Sequence, residues 1–252
     1  MTELQGRVAL VTGSSRGIGA AIARRFAAEG AAVALHGRTH DAAAAVQEQI
    51  TAAGGKAISV MADLTDFAQI EAMRSVIEDN LGPVDIIVAN AGGNPIPPGP
   101  VEDITEEGWH ASIDANLTTT FFTIKAFLPG MKERHQGIII TMSSAAARRP
   151  TTGSPIAYAA AKAGIELLTK EIAIQAGPTG IRINCLAPET ILTERNRQQI
   201  PPAIQDQLRQ AHPLQRLGTP EDIADAALFL ASNRSDWISG ITLDIAGGSV
   251  LV

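Results

Sequence analysis

Short apolar runs alternate with longer amphipathic stretches along the whole chain. Most of the short runs are apolar throughout rather than at every second residue, which is typical of strands covered on both faces of a sheet. Glycines that follow several amphipathic stretches are typical helix ends. The pattern predicts strands at residues 7–12, 32–37, 57–61, 84–89, 137–142, 181–186 and 241–245, and helices at 17–30, 41–53, 67–80, 107–134, 154–176 and 220–231.

This regular alternation predicts the fold class. Strand–helix–strand units close with right-handed crossovers and give parallel pairing. We therefore expect an α/β fold: a single-domain, Rossmann-like, doubly wound parallel sheet of seven strands with helices on both faces. The domain should cover residues 1–252, because we find no internal repeat and no low-complexity linker.

Composition and charge exclude several classes of partner. The net charge of −6 leaves no basic stripe for phosphate neutralisation, so we expect no nucleic-acid partner. No apolar run reaches the length of about 18 residues that a membrane span needs. The first residues lack a signal-peptide pattern, so we expect a cytoplasmic location. The single cysteine, Cys185, lies in an apolar run, which favours buried packing over a nucleophilic role.

A glycine cluster follows the first predicted strand. Gly13, Gly17 and Gly19 have the spacing GxxxGxG, where a strand meets a helix. Glycine lets a backbone approach a pyrophosphate closely, and a helix N-terminus supplies aligned N–H donors. Glycine-rich turns can also simply link a strand to a helix. Because this cluster directly follows the first predicted strand, we predict that it binds the phosphates of a dinucleotide.

The end of the second predicted strand bears on the choice of cofactor. An NAD site would place a carboxylate there for the ribose hydroxyls. This chain has His36-Gly37-Arg38-Thr39 instead, and the first carboxylate after the strand is Asp41. Arg16 and Arg38 could instead bind a 2′-phosphate by charge-assisted hydrogen bonds. The alternative is two solvated surface arginines. We predict NADP(H), with NAD(H) as the less favoured cofactor.

Tyr158 and Lys162 lie four residues apart in a predicted helix, so both side chains should project from one face. A phenol has an ordinary pKa near 10, and a neighbouring ammonium favours the phenolate. Tyr158 is the only tyrosine in the chain. The pair predicts a phenolic acid/base that acts on a carbonyl beside a nicotinamide.

The order of the motifs is more specific than any one of them. The glycine cluster precedes Asp63-Leu64, Asn90-Ala91-Gly92-Gly93, Asn116, Ser143-Ser144, Tyr158 with Lys162, and the segment 216–224. Over about residues 4–248 the chain resembles the short-chain dehydrogenase/reductase family, especially its 3-oxoacyl-(acyl-carrier-protein) reductase-like members.

The resemblance implies four catalytic roles. Tyr158 would be the general acid/base, and Lys162 would bind the nicotinamide ribose and lower the phenol pKa. Ser144 would hydrogen-bond the substrate oxygen, and Asn116 would hold a water in a proton relay, although an asparagine that only satisfies a backbone group is the alternative. Ser143 competes for the serine role, because the family often places this serine 13 residues before the tyrosine; Ser144 requires a one-residue insertion.

The resemblance also implies the cofactor contacts. Asn90 could equally be structural, and Glu189 departs from the glycine usual in the family, so the backbone path of that loop stays open. No metal site is predicted. The expected cofactor-binding residues are Gly13, Ser15, Arg16, Gly17, Ile18, Gly19, Arg38, Asp63, Leu64, Asn90, Ala91, Gly92, Tyr158, Lys162, Pro188, Ile191 and Thr193.

The expected reaction interconverts a carbonyl and a secondary alcohol of a small molecule by hydride transfer. A 3-oxoacyl thioester is one candidate, but Thr179 stands where carrier-protein reductases often have a basic residue. A sugar or other small-alcohol dehydrogenase is the alternative, and a non-catalytic sensor or scaffold is a different class. Residues 189–217 resemble a lid. Arg148, Arg149, Arg195 and Arg197 could meet an anionic substrate, although solvated arginines are favoured. The family implies a homotetramer.

Overall fold

The structure, a computed structural model, describes residues 2–151 and 153–251. Within them seven strands form one sheet in the order β3-β2-β1-β4-β5-β6-β7, and every neighbouring pair is parallel. This confirms the predicted fold class, with strand bounds shifted by at most two residues. The strands are β1 (Val8–Val11), β2 (Ala32–Gly37), β3 (Lys56–Met61), β4 (Ile86–Ala89), β5 (Gly137–Met142), β6 (Ile181–Pro188) and β7 (Thr242–Ile245).

Helices cover both faces of the sheet. One face packs against α1, α2 and α10, and the other packs against α3, α5 and α7. The helices are α1 (Gly17–Ala28), α2 (His40–Ala52), α3 (Phe67–Leu81), α4 (Glu106–Ile113), α5 (Thr119–Glu133), α6 (Ala145–Arg148), α7 (Ile156–Ala176), α8 (Glu194–Gln199), α9 (Pro202–Ala211) and α10 (Pro220–Ala231). Across the described residues, none of these helices has the length and apolarity to cross a membrane.

The all-apolar strands explain why the sheet has a core on each face. In β1, Ala9 and Val11 pack in one core, whereas Val8 and Leu10 pack in the other. Successive side chains of a strand point to opposite faces, so a strand between two helical layers is apolar at most positions. The strand order reverses between β1 and β4, and their carboxyl ends open the crevice where such folds bind ligands.

One predicted helix is wrong in its details. Residues 107–134 are not one α-helix, because a π-helical segment, Asp114–Thr118, separates α4 from α5. A π turn inserts an extra residue into the helical ladder and turns side chains out of the regular 3.6-residue pattern. It includes the fully buried Asn116. The short helix α6 was also not predicted.

Candidate active site

The glycine turn after β1 is drawn close to neighbouring backbone. Gly13 has φ +64°, in the left-handed region that favours glycine. A Cβ on Gly19 would clash with the Gly13 carbonyl oxygen and lie 2.7 Å from Asn90 Nδ2. Only glycine at position 19 therefore allows α1 to start this close to β1.

His36, which has no role among the sequence-based predictions, forms a hydrogen bond with the same turn. The Gly13 N–H donates to its Nδ1 (3.2 Å), so Nε2 carries the proton and donates to the Ala62 carbonyl (3.0 Å). Burial lowers the pKa of His36, which keeps the ring neutral. A histidine within an otherwise apolar strand was the available signal, although it does not reveal the contact with Gly13.

The N-terminus of α1 carries neither a side-chain cap nor an acidic residue. Its N-cap residue is Arg16. The first N–H groups of a helix have no partners within the helix. Thr193, in the range predicted as a lid, lies beside this turn, because a Cβ on Gly17 would lie 3.3 Å from its Cγ2. Ser15 is half-buried beside Gly37, and Ile18 packs against the core.

The ends of β2 and β3 bring Arg38 close to Asp63. Both residues are exposed. Hydrogen bonds from the side chain and backbone of Thr65 lower the pKa of Asp63, and the Arg38 charge adds to this effect. Leu64 is buried in the core, so its contact with a cofactor stays a prediction.

Asn90 and Ala91 join the ends of β4 and β1. The Asn90 Nδ2 donates to the carbonyls of Thr12 (2.9 Å) and Gly13 (3.3 Å), and the Ala91 N–H donates to Thr12 Oγ1 (3.0 Å). Of the two roles left open for Asn90, the structural one is therefore directly seen. It fixes the crevice between the two strands.

Lys162 lies beneath the Tyr158 ring on α7. Its Nζ is 5.5 Å from the ring centroid and donates to the Met142 carbonyl (2.8 Å). The lysine is buried, and loss of solvation lowers its pKa to about 8. The predicted helical pairing of the two side chains is observed.

Burial and a serine hydroxyl act on the pKa of the Tyr158 phenol in opposite directions. Burial raises the pKa of Tyr158, and a hydrogen bond with the Ser144 side chain opposes this rise. The Lys162 ammonium bonds to the Met142 carbonyl beneath the ring rather than to the phenol hydroxyl. A lowering of the phenol pKa by Lys162 stays a prediction.

The two adjacent serines lie in different surroundings. Ser143 is buried, and its Oγ donates to Glu166 Oε1 (2.8 Å) and to the Lys162 carbonyl (3.1 Å). Ser144 is half-buried, caps α6 by accepting from the Ala146 N–H (3.2 Å), and meets Tyr158. Ser144 is therefore the serine on the phenol side.

Asn116 is fully buried and binds the glycine segment after β4. Its Nδ2 donates to the carbonyls of Gly93 and Ser112 (both 2.8 Å), and its Oδ1 accepts from the Gly93 N–H (3.1 Å). A Cβ on Gly92 would lie 2.7 Å from Asn116 Oδ1 and 3.4 Å from Lys162 Nζ. Asn116 thus brings this segment against Lys162, while its place in a water relay stays a prediction.

The segment after β6 carries the remaining predicted contacts. Pro188 ends the strand, and the buried Ile191 forms a bridge with Gly218. At Glu189, where the family usually has glycine, the backbone continues the pairing with β7, since the Glu189 N–H donates to the Ile245 carbonyl (3.2 Å). Thr193 caps α8. Within the lid range, α9 contains no buried residue.

Two of the arginines considered for an anionic substrate are paired with carboxylates. Arg148 forms ion pairs with Glu166 (3.0 Å) and Asp244 (3.1 Å), and these partners raise its pKa, Asp244 most. Arg149 pairs with Glu189 (3.7 Å). Arg148 is therefore committed to an internal network.

Sequence comparison identifies the family. The family model described as Enoyl-(Acyl carrier protein) reductase matches residues 13–249. The 7alpha-hydroxysteroid dehydrogenase of Escherichia coli (strain K12) is 36% identical over 98% of this chain and 96% of its own length. Glucose 1-dehydrogenase 2 of Bacillus subtilis (strain 168) is 35% identical over 99% and 96%. The chain belongs to the short-chain dehydrogenase/reductase family.

Solved structures agree with this assignment. A 3-oxoacyl-[acyl-carrier protein] reductase from Brucella melitensis with bound NAD has a TM-score of 0.90 and 34% identity, and covers 99% of this chain and 95% of its own. A 3-oxoacyl (acyl-carrier-protein) reductase from Agrobacterium tumefaciens C58 with NADP bound has a TM-score of 0.90 and 36% identity, and covers 98% and 95%. This short-chain dehydrogenase/reductase is thus an oxidoreductase acting on CH–OH groups, in a family that binds nicotinamide cofactors.

Proposed function

We propose that the protein is an NADP(H)-dependent reductase that interconverts a small-molecule carbonyl and a secondary alcohol. The observation that carries the proposal is the convergence of Ser144, Tyr158 and Lys162 at the carboxyl edge of β5. A hydroxyl that meets a phenol above a buried ammonium suits proton transfer to a substrate oxygen. None of these residues is needed by a non-catalytic sensor.

The residues around the crevice fit a dinucleotide. Gly19 lies so close to the Gly13 carbonyl that a Cβ on Gly19 has no room, and the first N–H groups of α1 lack a side-chain cap. These N–H groups would hold the pyrophosphate. Lys162 and the Gly92–Gly93 segment held by Asn116 would bind the nicotinamide ribose side. The remaining contacts, Pro188, Ile191 and Thr193, would meet the carboxamide.

Each catalytic side chain would act on one atom. When bound, the nicotinamide supplies or accepts the hydride. In reduction, the Tyr158 hydroxyl gives its proton to the substrate oxygen, and in oxidation the phenolate takes that proton back. Ser144 donates a hydrogen bond to the same oxygen and orients it. The ammonium of Lys162 stabilises the phenolate electrostatically, since charges interact strongly in a buried site.

Arg16 and Arg38 support NADP(H) over NAD(H). Both lie beside the predicted adenosine end, and no acidic side chain occupies the ribose position at the end of β2. Similar solved structures contain bound NAD in one case and bound NADP in another, so the cofactor preference has to be inferred from this chain's own residues. Two guanidinium groups favour an extra phosphate.

For the substrate we favour a 3-oxoacyl thioester, with sugars and other small alcohols as the second candidate. Acyl thioesters, cyclic ketones and sugars should be assayed in both directions, with NADPH and NADH in parallel. Turnover faster with NADPH, and greatest with 3-oxoacyl thioesters, supports the proposal. Preference for NADH contradicts the cofactor assignment. Absence of turnover with the whole panel favours a sensor or scaffold.

Assembly and location complete the proposal. Exposed apolar residues on α7, Leu167 and Ile174, support a homotetramer, which light scattering would test. Residues 189–217 would act as the lid over the substrate, and a cytoplasmic location stays a prediction.

A further inference from the structure

A buried carboxylate on the catalytic helix contacts both ends of the turn that carries Ser144. Glu166 lies one helical turn after Lys162 and is 8% exposed. Its Oε1 accepts from Ser143 Oγ (2.8 Å), immediately before Ser144. Its Oε2 accepts from Arg148 (3.0 Å), the last residue of α6.

Arg148 extends this network to the edge of the sheet. Its Nε and one terminal nitrogen donate to the two oxygens of Asp244 on β7 (3.1 and 3.3 Å). Such a two-point pairing fixes the plane of the guanidinium as well as its position. The four-residue helix α6 has few backbone bonds of its own, so these side chains determine its position.

The inference rests on the proposed function, in which Ser144 orients the substrate oxygen. We propose that Glu166, with Arg148, is a positioning residue that holds Ser144 at the reacting distance from Tyr158. It contacts no reacting atom itself. Because a displacement of about 1 Å can lower a rate by about 100-fold, release of this turn should lower kcat rather than cofactor affinity.

A double-mutant cycle tests this role. Glu166→Ala should lower kcat about ten-fold in the otherwise unchanged enzyme but less than about two-fold in a Ser144→Ala background, because the positioned group is then absent. The dissociation constant for NADPH should stay within about two-fold in all variants. Glu171→Ala, at an exposed glutamate on the same helix, is the matched control and should leave kcat unchanged.

Two outcomes would overturn the proposal. The first is an equal loss of kcat in both backgrounds, which indicates a general structural role. The second is a normal kcat for Glu166→Ala in folded protein. If Ser144→Ala itself retains full kcat, the catalytic role of that serine in the proposed function fails as well. If Glu166→Ala does not fold, Ser143→Ala replaces it in the same cycle, since it removes only the hydroxyl that Glu166 accepts from.

Discussion

Lys162 carries its ammonium group inside the protein, at a carbonyl oxygen and below an aromatic ring. Burial disfavours the charged form and lowers its pKa to about 8, from an ordinary value of 10.5. Below pH 8 the group is protonated in both folded and unfolded chains. Between pH 8 and 10.5 the unfolded chain binds more protons, so the free energy of unfolding rises with pH through that window.

This sign gives the first prediction. Relative to Lys162→Met, the wild-type free energy of unfolding should increase by about 3 kcal/mol between pH 7 and pH 10.5, at 1.36 kcal/mol per pKa unit. Denaturant titrations of both proteins at matched pH measure the difference, in which other titrations cancel. Lys170→Met, at an exposed position of α7, is the control and should give a flat difference. A flat difference for Lys162→Met would refute the shift.

A second prediction for a single residue concerns Arg38 and the preference for NADPH over NADH. Arg38→Ala should weaken NADPH binding by about 10- to 100-fold, the value of one or two charge-assisted hydrogen bonds, and leave NADH binding unchanged. Equilibrium fluorescence titration with each cofactor measures both constants. Arg24→Ala, an exposed arginine of α1 bonded to Gln49, is the control. Equal losses for both cofactors would show that Arg38 does not distinguish them.

The pairing of Tyr158 and Lys162 on one helix face was predictable from their spacing, but the direction of the phenol pKa was not. The direction of the phenol shift depends on burial and on where the ammonium points, and neither is written in the YxxxK pattern. The role of His36 was not predictable either, because its partner Gly13 is 23 residues away in sequence and reaches it only through the pairing of β1 with β2.

At the scale of elements, the π turn of residues 114–118 links the helical layer to the cofactor crevice. Asn116 there forms three side-chain hydrogen bonds, two of them to Gly93 and one to Ser112. Apolar periodicity predicts helix throughout 107–134 because the π turn is itself helical and shifts the apolar face by one residue without ending the helix. The hydrogen bonds of the buried Asn116 amide to Gly93 and Ser112 are not part of that pattern.

Removal of that amide should destabilise the fold. Asn116→Ala removes all three hydrogen bonds of a fully buried amide, two to Gly93 and one to the carbonyl of the buried Ser112, so the free energy of unfolding should fall by about 1–3 kcal/mol. Denaturant titration measures the loss. Asn80→Ala, at an exposed asparagine of α3, removes a comparable bond to Val76 and should change it by less than about 0.5 kcal/mol. Equal effects would show that the Gly93 contacts do not stabilise the fold.

For the whole molecule, the fold was predictable because most strands repeat the same signal. Apolar runs between helices require a sheet buried on both faces, and chain order then leaves few topologies. The network of Glu166, Arg148 and Asp244 was not predictable, since it joins α7, α6 and β7 across 18 and 96 residues of sequence. Such contacts depend on the folded arrangement rather than on a local pattern.

Tyr158 is proposed to move the proton that accompanies hydride transfer. Single-turnover oxidation of bound NADPH by the best substrate of the panel tests this role, with wild type compared with Tyr158→Phe and NADPH affinity measured on both. The rate constant of the Tyr158→Phe enzyme should be about 10²–10⁴-fold lower, with an unchanged NADPH dissociation constant. Hydride transfer by Tyr158→Phe at the wild-type rate would show that another group moves the proton.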